Sequence, residues 1–440
     1  MANILPFQGI MYNQDKAGTM DTIVCPPYDI ISPLLQEELY QKNPFNVVRL
    51  EYGKENADDT ESNNRYTRSS AFFEEWFRSR ILYQDPMPAM YVYEMEYTVG
   101  GTVKKPRGFI ALVKIEDYNS GVVKPHETTL SGPKSDRLNL LRACKASFSQ
   151  IYSLFSDPSG DVAAVLSDVP AKSGAVAIGA DKVIHRIWPI HDQDTIQTIV
   201  RLMEEKPLFI ADGHHRYDTA LNYRNERRAA EGGVHKDASY NYVAMFMARL
   251  EDPGIMILPA HRVLMNLTHF YPAEFEQALN RYFYLERIDF TSRTEEKDRE
   301  TILDTMANRS ERSHVFGMRI KGKNSYYLLT LRDASDMDAL VPDRSRAYRQ
   351  LDVSILHHLI IDKLLGIGIE THKLGKNISY IKDPDEAAEQ VANGSSEIVF
   401  FMNPTKVTQV KDVASSGERM PQKATYFYPK LLTGLVMHKL

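Results

Sequence analysis

The chain is poor in cysteine: two residues in 440, Cys25 and Cys144, far apart and in no metal-ligand spacing. That excludes a disulfide scaffold and a zinc ribbon, and points to a reducing compartment. It lacks any uncharged apolar stretch long enough to cross a bilayer, and its opening Met1-Ala-Asn-Ile-Leu-Pro-Phe7 has neither the basic segment nor the apolar run of a secretory leader. The expected location is therefore the cytoplasm, with no membrane partner. No charge of one sign dominates, since 53 basic residues face 58 acidic ones for a formal net charge of −5. A duplex-DNA binder normally needs a basic face to displace counterions, so nucleic acid is a poor candidate partner. Internal repeats and low-complexity tracts are missing as well.

What is present is an ordinary globular composition, 43% hydrophobic and 25% charged, in a chain long enough for two to three domains and a sizeable core. Cys25-Pro-Pro-Tyr-Asp29 reads as a turn. Phe72, Phe73, Trp76 and Phe77 repeat on one helical face and read as core. Residues 89 to 99 and 108 to 115 form a hairpin around Gly100-Gly101. Lys124-Pro-His-Glu-Thr128 reads as a loop and Asp136 to Ser149 as a helix. Strands are expected at 175 to 178, 185 to 189 and 208 to 211, and helices at 195 to 205 and 218 to 231. Beyond a composition change near residue 266 come a helix over 272 to 284, a hairpin over 315 to 332, a helix over 351 to 365 and a strand over 397 to 401. This order argues α+β and not a regular βαβ array, with one domain over 1–265 and a second over 266–440.

The chemistry concentrates in Asp212-Gly213-His214-His215-Arg216, directly after the apolar run Leu208-Phe-Ile-Ala211. Gly213 permits a positive φ or a close backbone approach to a ligand. Arg216 offers a planar fork for phosphate oxygens, and Asp212 can hold a divalent cation or orient a histidine. His214 and His215 can donate to anionic oxygen or exchange protons near neutral pH. A strand, a tight turn and a helix place backbone N–H groups at an anion. The plainer alternative is a helix start capped by Asp212 with exposed histidines. The histidine pair has no third ligand placed for zinc. Lys134 and Arg137, in Gly132-Pro-Lys-Ser-Asp-Arg137, either add cations around phosphate or begin a solvated helix. His126 and Glu127 put a histidine beside a carboxylate in a loop that by itself reads as exposed. Arg262, beside His261, is either structural or a second phosphate contact. His357-His358 falls in a helical apolar pattern and reads as packing or surface.

Almost the whole chain resembles the bacterial and archaeal family called domain of unknown function 1015. The matching stretches are Cys25-Pro-Pro-Tyr-Asp-Ile-Ile31, Asn43-Pro-Phe-Asn-Val-Val-Arg-Leu50, Lys134-Ser-Asp-Arg-Leu138, Ile210-Ala-Asp-Gly-His-His-Arg-Tyr217, Ile257-Leu-Pro-Ala-His-Arg-Val263 and Thr425-Tyr-Phe-Tyr-Pro-Lys430. A narrower resemblance rests on the Asp-Gly-His-His-Arg turn and the upstream Pro-His-Glu. Together these are similar to the ParB/sulfiredoxin-like superfamily and, within it, to the free-serine kinases. The resemblance implies a ParB/sulfiredoxin-like mixed α/β core with large insertions and an additional α+β C-terminal region. It implies Glu127 as base on a substrate hydroxyl, with His126 and Asp212 beside it in catalysis. Asp212, Gly213, His214, His215 and Arg216 would hold nucleotide phosphates, and Asp212 a Mg2+. The implied activity is phosphoryl transfer from ATP or ADP to a small hydroxylated metabolite such as serine. The alternative is a nucleotide-binding switch without kinase chemistry, as on the ParB side, where nucleotide closes a homodimer. A third reading is a metal-dependent hydrolase of a phosphorylated metabolite. The chain departs from the small kinases in the long Glu127 to Asp212 interval and in its C-terminal part. It has no cysteine after Cys144, so sulfiredoxin chemistry is not expected.

Overall fold

Near-continuous buried runs in the middle of the chain, among them Gly108–Val113, Ile151–Phe155 and Val243–Ala248, become the strands of a wide sheet. The computed structural model describes residues 2–129, 131–170, 174–368 and 376–440. Within these the chain forms two compact units: 1–125, 129–256 and 429–440 in the first, and 126–128 with 257–428 in the second.

The first unit is built on a ten-stranded sheet whose main order is Ala175–Ile178, Ile184–Ile190, Met90–Val99, Arg107–Lys114, Tyr242–Arg249, Ile151–Phe155, Leu208–Asp212 and Val123–Lys124. Most neighbours are antiparallel, but Tyr242–Arg249 runs parallel to Ile151–Phe155, and Leu208–Asp212 parallel to Val123–Lys124. This mixture is an α+β arrangement. Helices Asp161–Asp168 and Gln193–Met203 bury Val162, Leu166, Ile196, Ile199 and Met203 in a core shared with Val92, Ile210 and Met245. The Phe72–Phe77 aromatics sit in helix Arg65–Arg78, where Phe73 and Trp76 are buried, as core residues should be.

Several boundaries differ from the sequence reading for local reasons. The helix expected over 136 to 149 spans Ser131–Cys144. Its first turn accommodates Pro133, whose missing N–H would be unsatisfied there in any case. It stops at Lys145, which takes the left-handed region at φ 48°, before the short strand Ala146–Ser147. The helix expected over 272 to 284 ends at Leu279, and Phe283–Asp289 is a strand. The helix expected from 218 begins at His214, and Lys124 belongs to a strand.

The second unit carries a six-stranded, wholly antiparallel sheet ordered Phe283–Asp289, Ser325–Leu331, Val315–Ile320, Ile398–Phe401, His261–Leu264 and Ile378–Ile381. Helices Glu295–Arg309 and Pro384–Ala392 cover it through Ile302, Met306, Ala387, Ala388 and Val391. His357 lies buried in the π-helical stretch Leu356–Leu364, and His358 bonds Tyr348 Oη at 2.9 Å, both consistent with packing.

Candidate functional site

Leu208, Phe209, Ile210 and Ala211 are buried on a strand paired along both edges, with Leu208 and Ile210 in the core of the first unit. The pairing with Ile151–Phe155 shifts register between Ile210 and Asp212, so Ala211 is bulged out of the ladder. A bulge re-aims the following side chain, and here that side chain is Asp212. Gly213 follows at φ 91° and ψ 28°, a conformation that residues with a Cβ rarely adopt, and serves as N-cap of helix His214–Ala230 without any side-chain cap. The capping role weighed for Asp212 thus falls to a glycine. The carboxylate is engaged elsewhere.

Its two oxygens meet two cations. Lys430 Nζ lies 2.8 Å from Oδ1 and Arg216 Nη2 2.9 Å from Oδ2, and all three side chains are between 10 and 17% exposed. Burial alone would raise the Asp212 carboxyl, but the charges of Lys430 and Arg216, with His214 adding to them, hold it well below the usual carboxylate range. Arg216 also donates through Nη1 to the Gln150 carbonyl. Its Nε, like Gln150 Oε1, is buried without a hydrogen-bond partner among the described residues. The guanidinium folds over the glycine so closely that a Cβ at Gly213 would stand 2.9 Å from Arg216 Nε. The result is a helix N-terminus with a positive dipole end, two cations and one carboxylate, all largely withdrawn from water.

His214 is buried and His215 half-buried in the first turn of that helix. Lys134 approaches Asp218 of the same helix at 3.8 Å, and its carbonyl accepts from Thr219 Oγ1 at 3.5 Å. Arg137 is buried and its donors are spent: Nη1 bonds the Glu51 carbonyl at 2.8 Å, Nε and Nη2 meet Asp136 at 2.8 and 2.6 Å, and its face covers the Tyr28 ring at 4.1 Å. Those bonds lock the 25–31, 43–51 and 134–138 stretches together in the first unit. Tyr28 in turn senses the charge of Arg216, although burial is the larger cause of its raised pKa.

His126 and Glu127 pack within the second unit. His126 is fully buried, with Nε2 2.8 Å from Thr425 Oγ1, its carbonyl accepting from Met420 N at 2.7 Å and its ring edge-on to Phe427. Glu127 bridges Met420 and lies in the electrostatic field of Arg262 and Tyr380. Arg262 is 1% exposed, bonds the Ala260 and Lys423 carbonyls and is pushed down to about 10, chiefly by burial. Its environment is that of a structural arginine of the second unit. Within the first unit, Lys124 lies on the strand beside Asp212's own, in register with Phe209.

Sequence reasoning missed Lys430 and Gln150. Thr425-Tyr-Phe-Tyr-Pro-Lys430 carries the family resemblance but has no charge pattern that announces an ion pair, and its partner Asp212 is 218 residues away. Gln150 acts through its carbonyl, which no side-chain pattern reveals. Among the described residues no group of three or more His, Cys, Asp or Glu could hold a metal ion, and no helix is long and apolar enough to cross a membrane.

The model of one protein family matches residues 4–354. The chain belongs to that family, described as a protein of unknown function, DUF1015. No curated protein matches this DUF1015 chain. Solved structures similar to it include a conserved hypothetical protein from Pyrococcus furiosus, at 13% identity and a TM-score of 0.33 over 74% of this chain and 95% of that one. A free serine kinase variant in complex with ADP matches at 14% and 0.35, over 74% and 92%. SbnI of Staphylococcus aureus, with a C-terminal truncation, matches at 11% and 0.35, over 74% and 85%.

Proposed function

We propose that the Asp212–Arg216 turn binds nucleotide phosphates and that this DUF1015 chain transfers a phosphoryl group from ATP or ADP to a small hydroxylated metabolite, serine first among the candidates. The observation that supports this most is the turn itself: a bulged strand and a left-handed glycine bring Asp212 and Arg216 to an uncapped helix N-terminus, where Lys430 pairs with Asp212. Backbone N–H groups, a buried guanidinium and a lysine suit a multiply charged tetrahedral anion better than any neutral ligand. The buried Nε of Arg216 adds a donor that a bound phosphate would satisfy. The nucleotide and the hydroxyl acceptor come from the motif resemblance, as does Glu127 in the role of base, with His126 as its neighbour.

The residues at the turn do not fit a resident Mg2+ as they stand, because each Asp212 oxygen already holds a cation. A divalent ion arriving there would face Lys430 and Arg216 directly. Mg2+ carried in on the phosphates is part of the substrate, and phosphates with one or two carboxylates are its usual company. The chain's own part is then to grip phosphate at the turn, to orient the nucleotide and to remove the proton from the acceptor hydroxyl.

The test is a melting-temperature panel of nucleotides with magnesium, followed by incubation of ATP or ADP with a pool of hydroxylated metabolites and a mass-spectrometric search for a phosphorylated product. A ligand at 100 times its Kd should stabilise the wild type by about 2.7 kcal/mol, and Asp212→Asn or Arg216→Ala should shrink that shift. Glu127→Gln should keep the shift and lose on the order of a hundredfold or more in turnover. Binding without any product across the pool would transfer support to the nucleotide switch. Unchanged turnover in Glu127→Gln would remove Glu127 from the base role.

A further inference from the structure

Lys430 sits in neither of the two motifs that mark the site, yet it reaches the central carboxylate of the turn. It reaches Asp212 because the last part of the chain is threaded into the first unit. Cys25 bridges Thr433, Ile10 bridges Met437 and His438–Lys439 pairs with Ala146–Ser147. Leu432 N is also bonded to Tyr93 Oη at 3.2 Å, and Pro429 is buried just before the lysine. These contacts fix the backbone that follows the lysine, so the ammonium is presented from a rigid support.

We propose that Lys430 is a phosphate-binding residue of the turn, parked on Asp212 Oδ1 and transferred to a phosphate oxygen when the anion arrives. This rests on the phosphate-site reading above and adds a third element to it. Arg216 is tied to the same carboxylate through Oδ2 and to the Gln150 carbonyl, and folds over Gly213. Lys430 ends in a compact ammonium with three donors on a flexible four-carbon stem, a chemistry that lets it change acceptor without moving the backbone. An anion at the helix N-terminus would stand beside Asp212 and repel that carboxylate unless a cation lay between them. Lys430, already held on Oδ1, supplies such a cation alongside Arg216 on Oδ2. Asp212 on this account is a holder for two cations.

The proposal is tested by isothermal titration of pyrophosphate and of ADP into the full chain in EDTA, with wild type, Lys430→Met, Lys430→Arg, Asp212→Asn and the double variant Lys430→Met with Asp212→Asn. Lys430→Met should weaken both ligands about 10- to 100-fold, the loss expected for one charge-assisted hydrogen bond, and Lys430→Arg should recover part of it. The double variant separates the two roles. If Lys430 touches phosphate, the double variant binds more weakly than Asp212→Asn alone. Equal binding by those two overturns the proposal, because the lysine would then serve only Asp212. The double variant and Asp212→Asn both leave Arg216 without its carboxylate, so the two differ only in the lysine, and a melting curve of each checks that both fold. Wild type that binds neither ligand overturns the phosphate site itself. Wild type that binds, with Lys430→Met binding alike, overturns only the part given to Lys430.

Discussion

Asp212 is held ionised by its neighbours, and the sign of that shift sets what acid should do to the protein. Its pKa is lower in the folded chain than in the unfolded one, where about 3.9 is ordinary. Its contribution to stability is therefore fully present above about pH 4 and fades as pH falls further through the folded value. Asp212→Asn leaves two largely buried cations without their carboxylate, a loss of about 3–5 kcal/mol. In urea unfolding, the gap between wild type and Asp212→Asn should stay constant from pH 8 to pH 5 and narrow only below pH 4. A gap that closes near pH 6 would mean that the carboxylate is not held down as described. Gly213 makes a second residue-scale prediction. Gly213→Ala must keep φ near 91° and place a Cβ 2.9 Å from Arg216 Nε. The backbone strain costs about 1–2 kcal/mol, and the guanidinium must shift away from Gln150. Nucleotide binding should fall more than stability does, read by titration beside a melting curve.

At the scale of elements, short strands carry titratable groups that the sheets keep dry. His185, on Ile184–Ile190, is pushed down to about 3 by burial, with Nδ1 2.7 Å from Tyr93 Oη. His438, on His438–Lys439, is pushed down to about 4, again by burial. His261 is lowered to about 4 in the second unit, by burial first and then by Arg262. An imidazole whose folded pKa lies below its unfolded value near 6.5 stays neutral while the unfolded chain takes up a proton. Stability is then complete above pH 6.5 and falls from there to the folded values, about 4 for His438 and His261 and about 3 for His185. At pH 4.5 each of His185 and His438 should subtract on the order of 2 kcal/mol from the first unit. Denaturant midpoints at pH 7 and 4.5 measure the drop, and His185→Gln should reduce it. The segment around Asp212 is itself such an element. Four buried apolar residues, a one-residue bulge and a glycine are what convert a plain sequence of polar side chains into a directed site.

At the scale of the whole chain, the stretch 429–440 belongs to the first unit although it follows the entire second one. It buries Leu431, Leu432, Leu435, Val436 and Met437 and bonds Gln150 through the Val436 carbonyl. Five such side chains at about 1.5–3 kcal/mol each rival the 5–15 kcal/mol of net stability a domain usually has. Removing residues 429–440 should therefore leave the first unit unfolded or aggregated, and should not merely trim a tail. Soluble yield and a thermal melt of the truncated chain decide the matter. A truncated protein that melts like the full chain would show that these contacts contribute little.

Elements with strong periodicity were legible without any structure: the 89–99 strand, the aromatic helix around Trp76, the 315–332 hairpin and the strand feeding Asp212. The sequence also identified the polar turn, because five chemistry-bearing residues directly after a buried strand are costly without a purpose. Helix ends at Ser131, Cys144 and Leu279 were less legible, since proline in a first turn and a lysine at positive φ leave weak local signals. The division of labour within the site was decided by tertiary structure alone. Whether Asp212 caps a helix or holds cations depends on one register shift, and whether Arg137 meets ligand or is consumed by Asp136 depends on packing. That Lys430 completes the turn depends on how the end of the chain threads back through the first unit. Side-chain periodicity reports on neighbours within a few residues, and an ion pair spanning 218 positions leaves no trace in it.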